Sequence, residues 1–421
     1  MSVLEITGGR PLKGMIRIQG AKNSALPILA ASVAAEGVSV IRNCPELTDV
    51  ETTIKILRHI GCEVWKDEGV LYIDSSRPIR PEIPDMLMSE LRSSVIFLGA
   101  LLARAGEAWI SHPGGCELGP RPIDLHIGAL RAMGAETDDR GGRLICRARR
   151  LEGGRIDLPF PSVGATENAM LAAARADGMT VITNAAREPE IEDLQNYLIA
   201  AGVRAAGAGS SVIYICGAGK GRVHGAEHRV ISDRIAAATF LSACAGAGGE
   251  ITIYDTEPKH YTAVLRSLRE TGCELETGEG TVRIKSSGRV KAPRPVTTKP
   301  YPGFPTDAQP PVMAALLKAE GTTVFVENIF QNRYRHTDEL RLMGADIKTE
   351  GKTAIICGVK KLTAARVKAA DLRGGAALAV AALSAEGVSE ITGLKHIDRG
   401  YECMERSLEE LGAEAVRLED G

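Results

Sequence analysis

Cys116 lies in the stretch 112–126, with Gly114, Gly115 and Gly119 around the thiol and Arg121 five positions further on. Glycines on both sides let a backbone swing and fold over a bound molecule. A guanidinium near a thiol favours the thiolate, which draws its pKa down from about 8.5 and makes it a usable proton donor or nucleophile. The alternative is a small apolar filler in a turn. The run Gly119-Pro120-Arg121-Pro122 argues against a packed core at this place, so the pattern predicts a reactive thiol on a mobile loop. Asp124, Leu125 and His126 then open a helical run over 127–133.

A second group of candidates stands where apolar helical runs begin. These starts read Lys22-Asn23-Ser24, Arg92-Ser93-Ser94, Ser162-Val163-Gly164, Asp233-Arg234, Thr306-Asp307 and Asp371-Leu372-Arg373. They combine N-capping residues with cations, and a helix N-terminus adds free N–H groups and a positive dipole end, so together they suit phosphates or carboxylates. Later loops add Arg121, Glu188, Arg333 and Arg399. One arginine is ordinarily a solvated surface residue, but several at matching positions point to an anion cluster. Asp307 is the acid among them: an N-cap worth about 1 kcal/mol, and also a candidate general base held ionised by neighbouring cations. The histidines show no metal-ligand spacing, and neither a Gly-x-Gly-x-x-Gly nor a P-loop is present, so no metal and no cofactor is expected.

The elements that position these residues are repeated. Glycines 37, 106, 178, 249, 321 and 387 each stand between a helical run and a strand, 66 to 72 residues apart. A second series, 61, 134, 202, 272, 344 and 412, closes another helix before another strand at spacings of 68 to 73. Glycine after a helix takes the left-handed conformation that turns the chain into the next strand. Each copy of about 70 residues therefore reads helix–strand–helix–strand–strand. The first helix of a copy is apolar nearly all round, as over 25–35, 235–244 and 376–383, and so must be buried. The prediction is an α/β (α+β) protein of two domains, each an inside-out α/β barrel of three repeats with helices inside and sheets outside. One open sheet of six ordinary βα units is the alternative, and it leaves the regular period unexplained. Similar lead-in segments at 11–22 and 221–234 mark the domain cut. Residues 22–229 are expected to form one lobe and 1–21 with 230–421 the other, with helix starts from both facing a cleft.

Composition narrows the partners. Among 421 residues, 51 Lys+Arg against 53 Asp+Glu leave a net charge of −2, and aromatics are 4%. That balance argues against nucleic acid or a membrane surface as partner, and few rings are available to stack on bases. Nine scattered cysteines with no C-x-x-C pair fit reduced thiols. The longest apolar run, near 95–103, is too short to span a membrane, and the first residues lack a signal-peptide pattern. A soluble cytoplasmic protein is expected.

Seven segments carry a resemblance. Pro113-Gly114-Gly115-Cys116 with Gly119-Pro120-Arg121-Pro122-Ile123-Asp124-Leu125-His126, Gly20-Ala21-Lys22-Asn23, Pro161-Ser162-Val163-Gly164-Ala165-Thr166-Glu167-Asn168, Asn184 to Glu190, Tyr301 to Asp307, Asn332-Arg333-Tyr334 and Ile397-Asp398-Arg399-Gly400-Tyr401 closely resemble the UDP-N-acetylglucosamine 1-carboxyvinyltransferase family of enolpyruvyl transferases. The resemblance runs over essentially the whole chain. It implies transfer of the enolpyruvyl group of phosphoenolpyruvate to the 3′-hydroxyl of UDP-N-acetylglucosamine through a tetrahedral ketal, with release of phosphate, at the first committed step of peptidoglycan synthesis. It further implies that Cys116 is the loop thiol, acting as general acid and alkylated by fosfomycin. Lys22, Arg121 and Arg399 would hold phosphoenolpyruvate, with Arg92 and Arg373 near its phosphate and carboxylate. Asp307 would take the sugar hydroxyl's proton. Asn23, Arg121, Pro122, Ile123, Asp124, Leu125, Ser162, Val163, Gly164, Asp307 and Ile329 would contact the UDP-sugar, and Arg333 would line the cleft. The segment Asp157-Leu158-Pro159-Phe160-Pro161 lacks the lysine that some members carry there, Gln331 stands where many have Glu, and Gly374-Gly375 where Ala-Gly is commoner. The sister transfer to shikimate 3-phosphate, and a non-catalytic UDP-sugar-binding regulator, are the competing readings.

Overall fold

The computed structural model describes residues 2–111, 123–140, 142–219 and 222–419, with only the backbone of Arg92 and Arg140. The described residues form two compact units, one drawn from 20–231 and the other from 1–19 together with 232–421.

In the unit drawn from 20–231, the helices are α1 (Lys22–Ala34), α2 (Thr48–Ile60), α3 (Asp85–Glu90), α4 (Phe97–Ala105), α5 (Asp124–Ala132), α6 (Val163–Ala173) and α7 (Pro189–Ala200). From Ser24 onward α1 is buried on every side, and α6 is buried from Ala165 to its end. Ala, Leu and Ile make up most of that surface, which allows the helices to approach closely and fill the centre. Three separate sheets cover them. Along the strands burial alternates, as in Val38–Arg42 and Val70–Asp74, so each sheet turns one face to the helices and the other to solvent. Trp65 and Tyr72 stack on such an outer face with ring centroids 5.2 Å apart.

The other unit carries α8 (Arg234–Ala247), α9 (Thr262–Glu270), α10 (Gln309–Ala315), α11 (Thr337–Leu342), α12 (Leu372–Ser384) and α13 (Met404–Glu410). Helices α8, α10 and α12 are buried together in a second aliphatic core. Gly246 on α8 allows this: a Cβ there would stand 3.0 Å from the Cα of Ala315 and 3.0 Å from the Oγ of Ser384.

The repeat is visible in the backbone. All twelve glycines of the two series have positive φ, between 75° and 113°. The helices are inside and the sheets outside, as the apolar helices require. The barrel is not closed, because the sheets within each unit remain separate. A strand absent from the expected repeat also appears. Short segments ahead of the buried helix pair parallel to the strand after it, as Arg155–Asp157 does with Met179–Thr183 and Arg366–Lys368 with Val388–Thr392. Two of these edge strands are exchanged along the sequence. Leu12–Arg17, ahead of α1, pairs with Gly249–Tyr254, and Glu227–Arg229, ahead of α8, pairs with Val38–Arg42. Val3–Thr7 lies between Val388–Thr392 and Glu414–Leu418, antiparallel to both.

Candidate active site

The three buried helices of the 20–231 unit run in one direction, as their C-terminal ends show. Glu36, just past α1, accepts from Arg104 at the end of α4 and, at 2.6 Å, from Nη2 of Arg175 just past α6. Arg175 Nε donates to the Ala34 carbonyl at 2.6 Å. Cations at helix C-termini meet carbonyls that have no helical partner. Burial opposes it, but the Arg175 bond, with both guanidinium charges, holds the Glu36 carboxyl below its ordinary range. With the C-termini gathered there, the starts of α1, α4 and α6 share the opposite pole, which is where the candidate residues of this unit fall.

At that pole Lys22 begins α1, and its Nζ lies 3.1 Å from Oδ2 of Asp49, a buried acid in the first turn of α2. Asn23 is half-buried beside it. Ser24 Oγ donates to Asp193 of α7, which also accepts from Nε2 of His228 at 2.8 Å and from the Ile231 N–H at 3.2 Å. One buried carboxylate thus ties the first turn of α1 to α7 and to the returning strand. At α6, the Ser162 side chain caps by accepting from the Ala165 N–H, and Ser162, Val163 and Gly164 are all half-buried. The N–H groups of Val163 and Gly164 are those that a helix start leaves for an anion, while that of Ser162 donates to the Phe160 carbonyl at 2.7 Å. Asp124 is exposed at the start of α5, with Ile123 and Leu125 half-buried on either side.

Two neighbours were not assigned a role from the sequence. His126 is bonded through Nδ1 to Asn168 Nδ2 at 2.7 Å, and burial draws its pKa down to about 4. Glu167 is buried, and desolvation together with the charges of Glu190 and Glu188 raises its carboxyl well above the ordinary range. Its surroundings therefore favour the protonated form. A single Glu in a helical run gives no sequence sign of this, because the neighbouring acids arrive from the next helix.

The pole of the second unit is an acid–base network rather than a cluster of open cations. Asp233 caps α8 by accepting from the N–H groups of Ile235 and Ala236, and Asp371 caps α12 through those of Arg373 and Gly374. Asp307 accepts from Arg333 Nη2 at 3.0 Å and from Arg373 Nε at 3.3 Å. The Arg333 and Arg373 side chains are each only 2% exposed, whereas that of Asp307 is 28% exposed. Arg373 also donates to the Tyr401 hydroxyl at 3.2 Å. Burial acts against its charge, but Tyr401, Asp307 and Asp233 outweigh it and hold the guanidinium firmly protonated. Two arginines expected to meet substrate thus orient the carboxylate of Asp307, which is the open member of the three.

Glu327, another residue without a sequence signal, supports this group. It is 1% exposed and accepts from Thr298 Oγ1, Thr306 Oγ1 and the N–H groups of Ile329 and Phe330, at 2.8 to 3.0 Å. That fixes Ile329 and the residue before Asp307 on one carboxylate. Arg399 is half-buried in a loop anchored by Asp398, whose two oxygens pair with Arg417 at 2.6 and 3.2 Å. Cys116, Arg121 and Pro122 lie outside the described residues, as does the side chain of Arg92. Eight of the cysteines are described, and all are free thiols. Burial raises Cys62 to about 12, Cys146 to about 11 and Cys244 to about 12, so these three are inert near neutral pH. Among the described residues no helix is long and apolar enough to cross a membrane, and no group of His, Cys, Asp and Glu is arranged to hold a metal.

Comparison with known proteins places this arrangement. The family model for EPSP synthase (3-phosphoshikimate 1-carboxyvinyltransferase) matches residues 6–408. UDP-N-acetylglucosamine 1-carboxyvinyltransferase 2 of Caldanaerobacter subterraneus subsp. tengcongensis is 50% identical over 418 residues, covering 99% of this chain and 100% of that protein. The enzyme of the same name from Bacillus subtilis is 46% identical over 98% of this chain and 96% of its own length, and UDP-N-acetylglucosamine 1-carboxyvinyltransferase 1 of Carboxydothermus hydrogenoformans is 45% identical over 98% of this chain and 97% of its own. The enolpyruvyl transferase NikO from Streptomyces tendae superposes with a TM-score of 0.88 at 25% identity, over 100% of this chain and 99% of that one. EPSP synthase from Acinetobacter baumannii shares the fold at a TM-score of 0.74 and 20% identity, over 100% of both chains. Relatives matched end to end at such identity leave one assignment: the chain belongs to the EPSP synthase family of enolpyruvyl transferases and, within it, to the UDP-N-acetylglucosamine 1-carboxyvinyltransferases.

Proposed function

We propose that this enzyme transfers the enolpyruvyl group of phosphoenolpyruvate to the 3′-hydroxyl of UDP-N-acetylglucosamine and releases phosphate, the first committed step of peptidoglycan synthesis. The observation that carries the reading is the 50% identity, over 100% of its length, to an enzyme named for this transfer. The sugar hydroxyl adds to C2 of phosphoenolpyruvate while C3 gains a proton. Loss of phosphate from C2 and of a proton from C3 then restores the double bond. Asp307 takes the hydroxyl proton, and its pairing with Arg333 and Arg373 supports that role by fixing the direction of the carboxylate. Lys22, Arg121 and Arg399 hold phosphoenolpyruvate, with Arg92 beside them, where fixed cations stabilise the charge developing at the ketal. Ser162, Val163 and Gly164 receive the UDP-sugar at the start of α6, with Asn23, Pro122, Ile123, Asp124, Leu125 and Ile329 as further contacts.

Cys116 acts as general acid from its glycine-rich loop, and as a thiolate it opens the epoxide of fosfomycin. A cytoplasmic location is proposed with this, and the free thiols of the described cysteines support it. Phosphate release from phosphoenolpyruvate, measured with UDP-N-acetylglucosamine and separately with shikimate 3-phosphate, tests the reading. Turnover with the nucleotide sugar alone is expected. Turnover with shikimate 3-phosphate, or with neither acceptor, overturns it. Fosfomycin is expected to place one adduct on Cys116, and Cys116→Ser to abolish both the adduct and most of the turnover while UDP-sugar binding stays nearly intact. Equal loss of binding and rate would make the thiol structural.

A further inference from the structure

Asn168 settles the state of His126. Its Oδ1 accepts from the Gly99 backbone N–H at 2.7 Å, so the other end of the amide is the Nδ2 donor. That donor serves the Val95 carbonyl at 3.0 Å and Nδ1 of His126 at 2.7 Å. Nδ1 must then accept, which puts the proton of a neutral ring on Nε2. A second proton on Nδ1 would confront the amide donor, in keeping with the pKa of about 4. His126 is thus a neutral imidazole with a fixed Nε2–H.

That N–H has no acceptor among the described residues, although the side chain is 9% exposed. Its direction is fixed by the first turn of α6. A Cβ on Gly164 would stand 2.9 Å from Cε1 and 3.3 Å from Nε2, so this edge of the ring rests against Gly164. The Nε2–H and the unpaired N–H groups at the start of this 11-residue helix are all donors to one small region. We infer that His126 is a further binding residue for the nucleotide sugar, its Nε2–H donating to a phosphoryl oxygen held at the N-terminus of α6. This rests on the reading of UDP-N-acetylglucosamine as substrate. A neutral donor adds a directed bond there without adding charge, and its ring also fixes α5 to α6 through Asn168.

Asn and Gln variants separate the two ring nitrogens. His126→Asn places a polar atom near Nδ1 and removes the Nε2 donor, whereas His126→Gln keeps a donor near Nε2 and loses the atom facing Asn168. Calorimetric titration with UDP-N-acetylglucosamine should give about tenfold weaker binding for H126N, as expected for one hydrogen bond to a charged group, and near wild-type binding for H126Q. The reverse order, or wild-type affinity in both, would make His126 a brace only and overturn the assignment. Nitrogen NMR of the wild-type ring provides a reading that depends on no variant. Nε2 should be the protonated nitrogen at pH 7, and its signal should move when UDP-N-acetylglucosamine is added. An unmoved signal on a protein that binds the sugar overturns the assignment alone, whereas a wild-type protein that binds no UDP-N-acetylglucosamine removes the functional reading and this one with it.

Discussion

Glu167 and Asp307 show how the same side-chain chemistry is set to opposite ends by its neighbours. Asp307 has two guanidiniums, and an ionised carboxylate is the form they accept. Glu167 has no cation bonded to it among the described residues, is 5% exposed, and faces Glu190 and Glu188, all of which favour the protonated form. The stability consequence has a definite sign. An unfolded glutamate ionises near its ordinary value of 4.5, while the folded protein keeps the proton well above it. The folded state therefore holds more protons over that interval, and stability falls as pH rises from about 4.5 toward the folded value. Glu167→Gln cannot ionise and is isosteric. Its melting temperature should exceed that of the wild type at pH 8 and converge on it as the pH approaches 5. A gap that does not change with pH would mean that Glu167 is ionised when buried. None of this is legible in the sequence, because Glu167 owes its state to residues more than 20 positions away. The same holds for Arg333 and Arg373. Their repeat positions put Arg373 at the start of a buried helix and Arg333 in a later loop, but only the fold shows that both are buried against Asp307.

At the scale of elements, the helix ends divide the labour. N-termini collect the candidate binding residues, and C-termini in the 20–231 unit are closed by Arg104, Arg175 and Glu36. Arg175→Ala leaves the Ala34 carbonyl and the Glu36 carboxylate short of a donor. The loss should be about 1–3 kcal/mol, read from urea unfolding, and a loss near zero would show that water serves those acceptors equally well. The glycine series made the repeat legible because a residue with positive φ must recur wherever a helix turns into a strand, and glycine is the residue that does so at low cost. The buried helices were legible from their lack of a polar face. The parallel edge strands were not. Arg155–Asp157 and Arg366–Lys368 are three residues each and Val296–Thr297 is two, too short to display alternation.

Over the whole molecule, the two exchanged strands make the sequence order differ from the order of packing. The lead-in similarity at 11–22 and 221–234 was legible, but a similarity does not say which sheet each copy enters; only the pairings do. Deleting residues 2–8 removes Val3–Thr7 from between two antiparallel neighbours and leaves Val388–Thr392 and Glu414–Leu418 each without that ladder. The expected result is loss of hydrogen-exchange protection in the unit of residues 232–419, with protection in α1, α4 and α6 retained. Uniform loss across both units would show that they unfold as one.

The exchange also sets a timetable for synthesis. A nascent chain has all seven helices of the 20–231 unit, and the strand 227–229 that closes its first sheet, once about residue 230 has left the ribosome. Its earliest strands have no place there. Leu12–Arg17 waits for Gly249–Tyr254, and Val3–Thr7 waits until Glu414–Leu418 is made. These two early strands are thus among the last to be ordered, and a chain still under synthesis carries them unpaired until the segments that receive them have been made.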